Sequence, residues 1–104
     1  MADMTNETAG NRLRRLHMRS WRRGMKEMDL ILGHFADDCL ATLTPDDLAQ
    51  YERLLSENDQ DLYLWVTARI GDSPAPGDRA APDPVFAPIL DRIAGHAATR
   101  FRTA

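Results

Sequence analysis

The side chains that could carry chemistry are three histidines and a single cysteine, and they are scattered along the chain. His17, His34 and His96 fall on three different predicted helices, and none stands at metal-ligand spacing from Cys39 or from another histidine. Cys39 lies on an apolar stripe, which is typical of a packed, unreactive thiol. The sequence contains no glycine-rich phosphate loop, nucleophile elbow or zinc-helix signature. It therefore predicts a protein that is not an enzyme and that binds no metal.

The cations are concentrated in one short stretch. Residues 12–26 hold seven of the 13 lysines and arginines and no acid, so the rest of the chain carries six cations against 16 acids. Such a block can be a solvated helix face, a nucleic-acid site or a surface that docks on an acidic protein. Charge alone leaves all three open. The residues of this block are Arg12, Arg14, Arg15, Arg19, Arg22, Arg23 and Lys26.

The length and composition fit a small globular protein. A chain of 104 residues can build one domain with one modest core. No apolar run approaches the roughly 18–20 residues of a membrane-spanning helix, and the first residues lack the pattern of a signal or transit peptide. The single cysteine excludes an internal disulfide and fits a reducing compartment. We therefore predict a cytoplasmic location and no membrane association.

Apolar residues recur at three- and four-residue steps in five segments, which predicts an all-α fold, a small bundle of about five short helices. We expect residues 1–10 to be a disordered tail and residues 11–104 to form a single domain. The proline- and glycine-rich residues 72–83 are predicted to form an exposed loop. The predicted helices start at Asn11, after Gly24, at Thr44-Pro45, at Asn58-Asp59 and at Asp83-Pro84.

Gly24 separates the arginines from an apolar helix, although glycine inside a helix costs about 0.5–1 kcal/mol relative to alanine. One interpretation is a sharp turn between two helices, across which Arg23 and Glu27 could pair. The other is a recognition edge, where the missing Cβ lets a partner's backbone approach between a cation and an anion. The residue types alone do not decide between them.

The order Arg23-Gly24-Met25-Lys26-Glu27 resembles the RGxxE motif of the SdhE family, the FAD assembly factors of succinate dehydrogenase. The surrounding SWRRGMKEMDLILGHF is similar to that family's stretch before and through its second helix. Further along, YERLL and DQDLYLW resemble its third and fourth helices. The likeness covers about residues 11–71 well and the last helix loosely. The loop at residues 72–83 departs from the family, because it is longer and richer in proline.

The resemblance implies a non-catalytic assembly factor that binds the flavoprotein subunit of succinate dehydrogenase, and often that of fumarate reductase. It implies that the factor promotes a largely self-catalysed attachment of FAD to that subunit and holds no FAD stably itself. We expect the free chain to be a monomer. The partner-binding residues carried over from the motif are Arg23, Gly24 and Glu27, with Arg22, Met25, Lys26 and Asp29 as neighbours.

The alternative hypothesis is a small nucleic-acid-binding helical protein that uses the arginines of the first helix. It predicts an affinity that falls steeply with salt. The acidic remainder of the chain counts against it, and the aromatic residues that could stack on bases stand at core spacing. A third possibility is a helical interaction module with an unrelated protein partner.

Overall fold

Five α-helices and two short 3₁₀ turns make up the part of the chain that the structure describes. This computed structural model describes residues 7–70 and 82–101. The α-helices are α1 (Ala9–Trp21), α2 (Lys26–Cys39), α3 (Pro45–Leu54), α4 (Asp59–Ile70) and α5 (Ala87–Phe101), and the 3₁₀ turns are Leu40–Thr42 and Pro84–Phe86. The predicted all-α bundle of short helices is confirmed. None of the helices in these ranges is long and apolar enough to cross a membrane.

The first helix begins two residues earlier than the sequence predicted. The hydroxyl of Thr8 accepts a hydrogen bond from the backbone N–H of Asn11 at 3.0 Å and so caps α1. Glu7 is also held in place, since both of its carboxylate oxygens accept hydrogen bonds from Arg15. Residues 7–10 therefore belong to the folded part, and the predicted disordered tail is wrong for them. Residues 1–6 of that tail lie outside the described residues.

The start signals of the later helices act as expected, with one difference. The hydroxyl of Thr44 accepts a hydrogen bond from the N–H of Asp47 at 3.1 Å, and proline follows at the first helical position. Asp83 also caps, but it opens the 3₁₀ turn, and α5 itself begins at Ala87. Most of the predicted loop, residues 71–81, lies outside the described residues.

The second helix is the centre of the bundle, because it packs against α1, α4 and α5. Its buried stripe joins the buried faces of the other helices in one core. Met18 is 44% exposed, although it is one of the apolar residues at helical spacing in α1. Leu16 and Ser20 are the buried residues of α1, and Met18 lies between arginines on the outer side. The largest fully buried side chains are Leu16, Met28, Leu32, Phe35, Tyr51, Leu54, Leu55, Leu62, Val66, Ile89, Leu90 and Ile93.

A buried pair of hydroxyls links α1 to α3. The Ser20 and Tyr51 oxygens are 2.6 Å apart, and the Ser20 hydroxyl lies 2.8 Å from the carbonyl oxygen of Leu16, to which it donates. Both side chains are fully buried. Burial raises the pKa of the Tyr51 phenol, because the charged phenolate would be poorly solvated there. The pair thus satisfies two polar groups inside an otherwise apolar core.

The α1–α2 contact depends on a glycine in the middle of α2. A Cβ at Gly33 would lie 2.3 Å from the ring of Trp21, far inside van der Waals contact. The indole covers this backbone position and packs edge-on against His34, with ring centroids 5.1 Å apart. Its N–H donates to Asp37 at 3.2 Å. Gly33 therefore permits the last residue of α1, Trp21, to pack closely on the middle of α2.

Replacing Gly33 by alanine is expected to destabilise the protein, although alanine is the better helix former. The Trp21 ring must move, and this strain should lower the free energy of unfolding by about 1–3 kcal/mol. The matched control is Gly95→Ala in α5, where nothing lies within 4 Å of the new Cβ. That variant should be more stable by up to about 1 kcal/mol. Urea unfolding measures both, and equal shifts for the two variants would contradict the close contact.

Candidate functional site

The connection between α1 and α2 is a sharp corner at Gly24. Helix α1 ends at Trp21 and α2 begins at Lys26. Gly24 has a φ of 95°, a left-handed conformation that side chains with a Cβ rarely adopt. Gly24 is exposed, and apart from its own residue and its two chain neighbours no atom lies within 4 Å of the position where a Cβ would stand. Both interpretations of this glycine are therefore compatible with the structure. Gly24 makes the turn, and it leaves an open space at its Cβ position, which we call the notch.

Asp29 fixes the corner from inside α2. Its carboxylate accepts a hydrogen bond from the backbone N–H of Arg23 at 2.5 Å. Its own N–H donates to the carbonyl of Met25 at 2.9 Å. Asp29, a predicted neighbour of the contact edge, is half-buried. Its two hydrogen bonds hold the turn in shape.

The Arg23 guanidinium points into the protein, toward the turn between α3 and α4. Its Nε lies 2.6 Å from a carboxylate oxygen of Asp59, and its two terminal nitrogens donate to the carbonyls of Leu55 and, at 2.8 Å, Glu57. The side chain is only 10% exposed. These carbonyls follow the end of α3, where backbone acceptors lack helical partners. The guanidinium therefore satisfies them and joins two distant turns.

This arrangement corrects one part of the sequence-based interpretation. One interpretation paired Arg23 with Glu27, and the other placed its charge at an exposed contact edge, but Arg23 pairs with Asp59 and its side chain is largely buried. Arginine reaches a carboxylate and two carbonyls at once because its five donors have a fixed fork geometry. Arg23 is thus a residue that positions the corner.

The residues that face solvent around the notch are Arg22, Gly24, Lys26 and Glu27. Met25 is half-buried and packs against the core. The structure thus brings two cations and one acid together beside an open glycine, and we call these four exposed residues the corner surface. That this surface binds a partner stays a prediction.

Next to Glu27 lies an apolar groove that the sequence interpretation missed. It has a volume of about 240 Å³ and is lined by residues of α2, α4 and α5. Leu30 is 36% exposed there. The signal in the sequence was Leu30 itself, which stands off the stripe formed by the buried residues of α2. The lining residues are Glu27, Leu30, Ile31, Tyr63, Thr67, Ile70 and Ala97.

The histidines and the cysteine are used in packing and surface contacts. His17 pairs with Asp37, and this hydrogen bond lowers the pKa of the aspartate. The Nε2 of His96 lies 2.7 Å from Asp38. Cys39 is half-buried, and burial raises the pKa of its thiol. The reactive thiolate therefore forms less readily. In the described ranges, histidine, cysteine and acidic side chains form no group of three or more that could hold a metal ion.

Removing the Arg23 guanidinium should destabilise the fold, while removing its exposed neighbour should not. Arg23→Gln leaves Asp59 and two carbonyls without their donor, and we expect a loss of about 2–3 kcal/mol in the free energy of unfolding. Arg22→Gln, the matched control one residue away, should change it by less than about 0.5 kcal/mol. Chemical denaturation at neutral pH checks both. Coincident unfolding curves for the two variants would show that the internal contacts add nothing.

Comparison with known proteins gives one family and several curated relatives. The family model Sdh5, described as flavinator of succinate dehydrogenase, matches residues 14–97. The chain is 39% identical over 72 residues to the mitochondrial succinate dehydrogenase assembly factor 2 of Kluyveromyces lactis. The aligned region covers 69% of this chain and 44% of the relative. The Candida glabrata protein of that name is 41% identical over 71 residues, which make up 68% of this chain and 46% of the length of that protein. This chain thus spans less than half the length of these relatives. No solved structure matches it.

The relatives also correct the predicted location. Proteins from Kluyveromyces lactis, Candida glabrata and Lodderomyces elongisporus that match this chain are all named as mitochondrial. The sequence had predicted the cytoplasm, and these names overturn that prediction. The physical feature used for it, a single cysteine, does not distinguish two reducing compartments.

The family match includes the whole corner from Arg22 to Asp29 and every helix described above except the ends of α1 and α5. It also favours the assembly-factor hypothesis over the nucleic-acid alternative. Since the match extends over residues 14–97, far more than half of the chain, this chain belongs to the Sdh5 family, the flavinators of succinate dehydrogenase.

Proposed function

We propose that this protein binds the flavoprotein subunit of succinate dehydrogenase and promotes the covalent attachment of FAD to it. The observation that carries the proposal is the family match over residues 14–97. It is supported by the relatives, which are named succinate dehydrogenase assembly factors. It is supported further by the corner surface, because Gly24 and Glu27 of the RGxxE motif face solvent.

The chain acts on the attachment reaction as a binding partner and contributes no catalytic group. The flavoprotein supplies the histidine and the bound FAD, and the reaction is self-catalysed within it. By binding one conformation of the flavoprotein more tightly than others, the factor shifts the population toward the geometry in which histidine and flavin are aligned. Alignment of two reacting groups removes much of the entropic part of a barrier. FAD stays with the partner throughout.

The corner surface is suited to such binding because it is rigid and polar. Gly24 leaves room for the partner's backbone, and Glu27 lies beside it among the cations Arg22 and Lys26. Opposite charges at an interface give orientation and specificity more than affinity. The bonds made by Arg23 and Asp29 fix the turn before binding, so little conformational freedom is lost on association.

The proposal includes a monomeric free chain and the flavoprotein subunit of fumarate reductase as a second client. Sedimentation equilibrium of the purified chain tests the first point. The second is tested by incubating the FAD-loaded fumarate reductase subunit with the chain and measuring protein-bound flavin fluorescence after denaturing electrophoresis.

Filling the notch should abolish the function without unfolding the protein. Gly24→Arg places a long side chain where a partner's backbone would approach, so stimulation of flavin attachment to the succinate dehydrogenase flavoprotein should be lost. Gly24→Ala carries the same backbone strain, about 1–2 kcal/mol, without the bulk, and should retain most of the stimulation. In-gel flavin fluorescence measures attachment, and thermal melts monitor folding. Undiminished attachment with Gly24→Arg would contradict the role of the notch.

Neutralising the acid of the motif should weaken binding. Glu27→Gln keeps the shape of the exposed side chain but removes its charge, and we expect the Kd for the flavoprotein to rise on the order of tenfold, as for other interfacial charges. Asp46→Asn, an exposed acid on α3, is the matched control and should leave the Kd unchanged. Isothermal titration calorimetry gives both values. A Glu27→Gln variant that melts without cooperativity would instead indicate a structural role for Glu27.

A further inference from the structure

A row of arginines covers the outer face of α1. The side chains stand three or four residues apart, so they lie on one side of the helix. Among them is an open groove of about 510 Å³. We call this side the arginine face, and its residues are Asn11, Arg14, Arg15, Met18, Arg19 and Arg22.

One end of the arginine face already binds carboxylates of the chain itself. Arg15 holds both oxygens of Glu7 through its Nε and one terminal nitrogen, at 2.8 and 2.9 Å. The same guanidinium lies 2.8 Å from Glu52, which also pairs with Arg12. The pKa of Glu7 is lowered by its hydrogen bond to Arg15. The geometry is the two-point contact with which arginine recognises a carboxylate.

The other arginines of this face lack such contacts in the part of the chain that the structure describes. Within residues 7–70 and 82–101, the structure gives no carboxylate partner to Arg14, Arg19 or Arg22, and Arg14 donates only to the amide oxygen of Asn11. Between these arginines lies Met18, 44% exposed. An exposed, flexible methionine adapts well to an apolar side chain of a partner. The face therefore offers cationic sites around one apolar contact.

A protein ligand fits this face better than a nucleic acid. The carboxylates of Glu7 and Glu52 lie at its edge and would repel a polyanionic backbone, as would the acidic remainder of a chain with net charge −3. A short protein segment with spaced carboxylates and one apolar residue matches both the arginines and Met18. Arg22 belongs to the corner surface as well, so the two surfaces are continuous.

We propose that the arginine face is a second binding surface, which takes an acidic segment of the flavoprotein while the corner surface engages beside it. This inference rests on the proposed function. Charges of this kind act over several ångströms before contact, so the face also speeds the encounter of the two proteins. Binding through it depends on ionic strength, because salt screens exposed charges.

The test compares charge variants of the full chain in binding to the FAD-loaded succinate dehydrogenase flavoprotein at ionic strengths from about 0.03 to 0.5 M. Arg14→Gln/Arg19→Gln should raise the Kd at least about tenfold at low salt and flatten its dependence on salt. The matched control, Arg92→Gln/Arg100→Gln on α5, makes the same change in net charge and should behave as the wild type. Arg14→Lys/Arg19→Lys should keep most of the salt dependence. Thermal melts verify that all variants fold.

The outcomes separate this inference from the function on which it rests. If wild type binds the flavoprotein and Gly24→Arg abolishes binding, but the Arg14/Arg19 variant shows wild-type Kd and salt dependence, the arginine face is not an interface and the proposed function stands. If wild type does not bind the flavoprotein at any salt concentration, both proposals are overturned. Arginine-dependent binding of a single-stranded RNA oligonucleotide, with no effect of the variants on the flavoprotein, would assign the face to nucleic acid.

Discussion

The contact between the Arg23 guanidinium and the α3–α4 turn is the interaction on which the shape of the candidate site depends. The chain must reverse direction at Gly24, and a glycine in an exposed turn has no means of fixing that reversal by itself. Arg23 joins the corner to Asp59 and to two carbonyls beyond α3, while Asp29 holds the backbone of Arg23 from the other side. A cation, two acids and a glycine thus form one rigid corner, and the exposed neighbours are held in fixed positions.

This arrangement divides the RGxxE motif between two tasks. Arg23 stabilises the fold, whereas Gly24 and Glu27 are open to solvent. In the proposed function the motif combines structural and binding residues within five positions, because a surface is only specific when the backbone that carries it is held still. The packing of Trp21 over Gly33 serves the same end, since it sets how closely α1 approaches α2.

A factor without a catalytic group can still accelerate a reaction in its partner, provided it binds one conformation preferentially. The fold suits this proposed role, since one core leaves the outside of α1 and the α1–α2 corner free to present charge. The net charge of −3 hides this asymmetry. Seven of the 13 lysines and arginines lie on one helix and its corner, and two of them, Arg12 and Arg15, pair with Glu7 or Glu52.

The sequence by itself determined the helices, their starts at Thr44 and near Asn58, and most of the core, because helix caps and apolar periodicity act between residues close in the chain. It also indicated the corner at Gly24 and, through the motif, the family. The tertiary structure alone decided that Arg23 turns inward to Asp59, that Met18 faces outward and that Leu30 borders a groove beside Glu27. Arg23 and Asp59 are 36 positions apart. Which of several acids an arginine reaches depends on how the helices pack, and no local pattern encodes that distance.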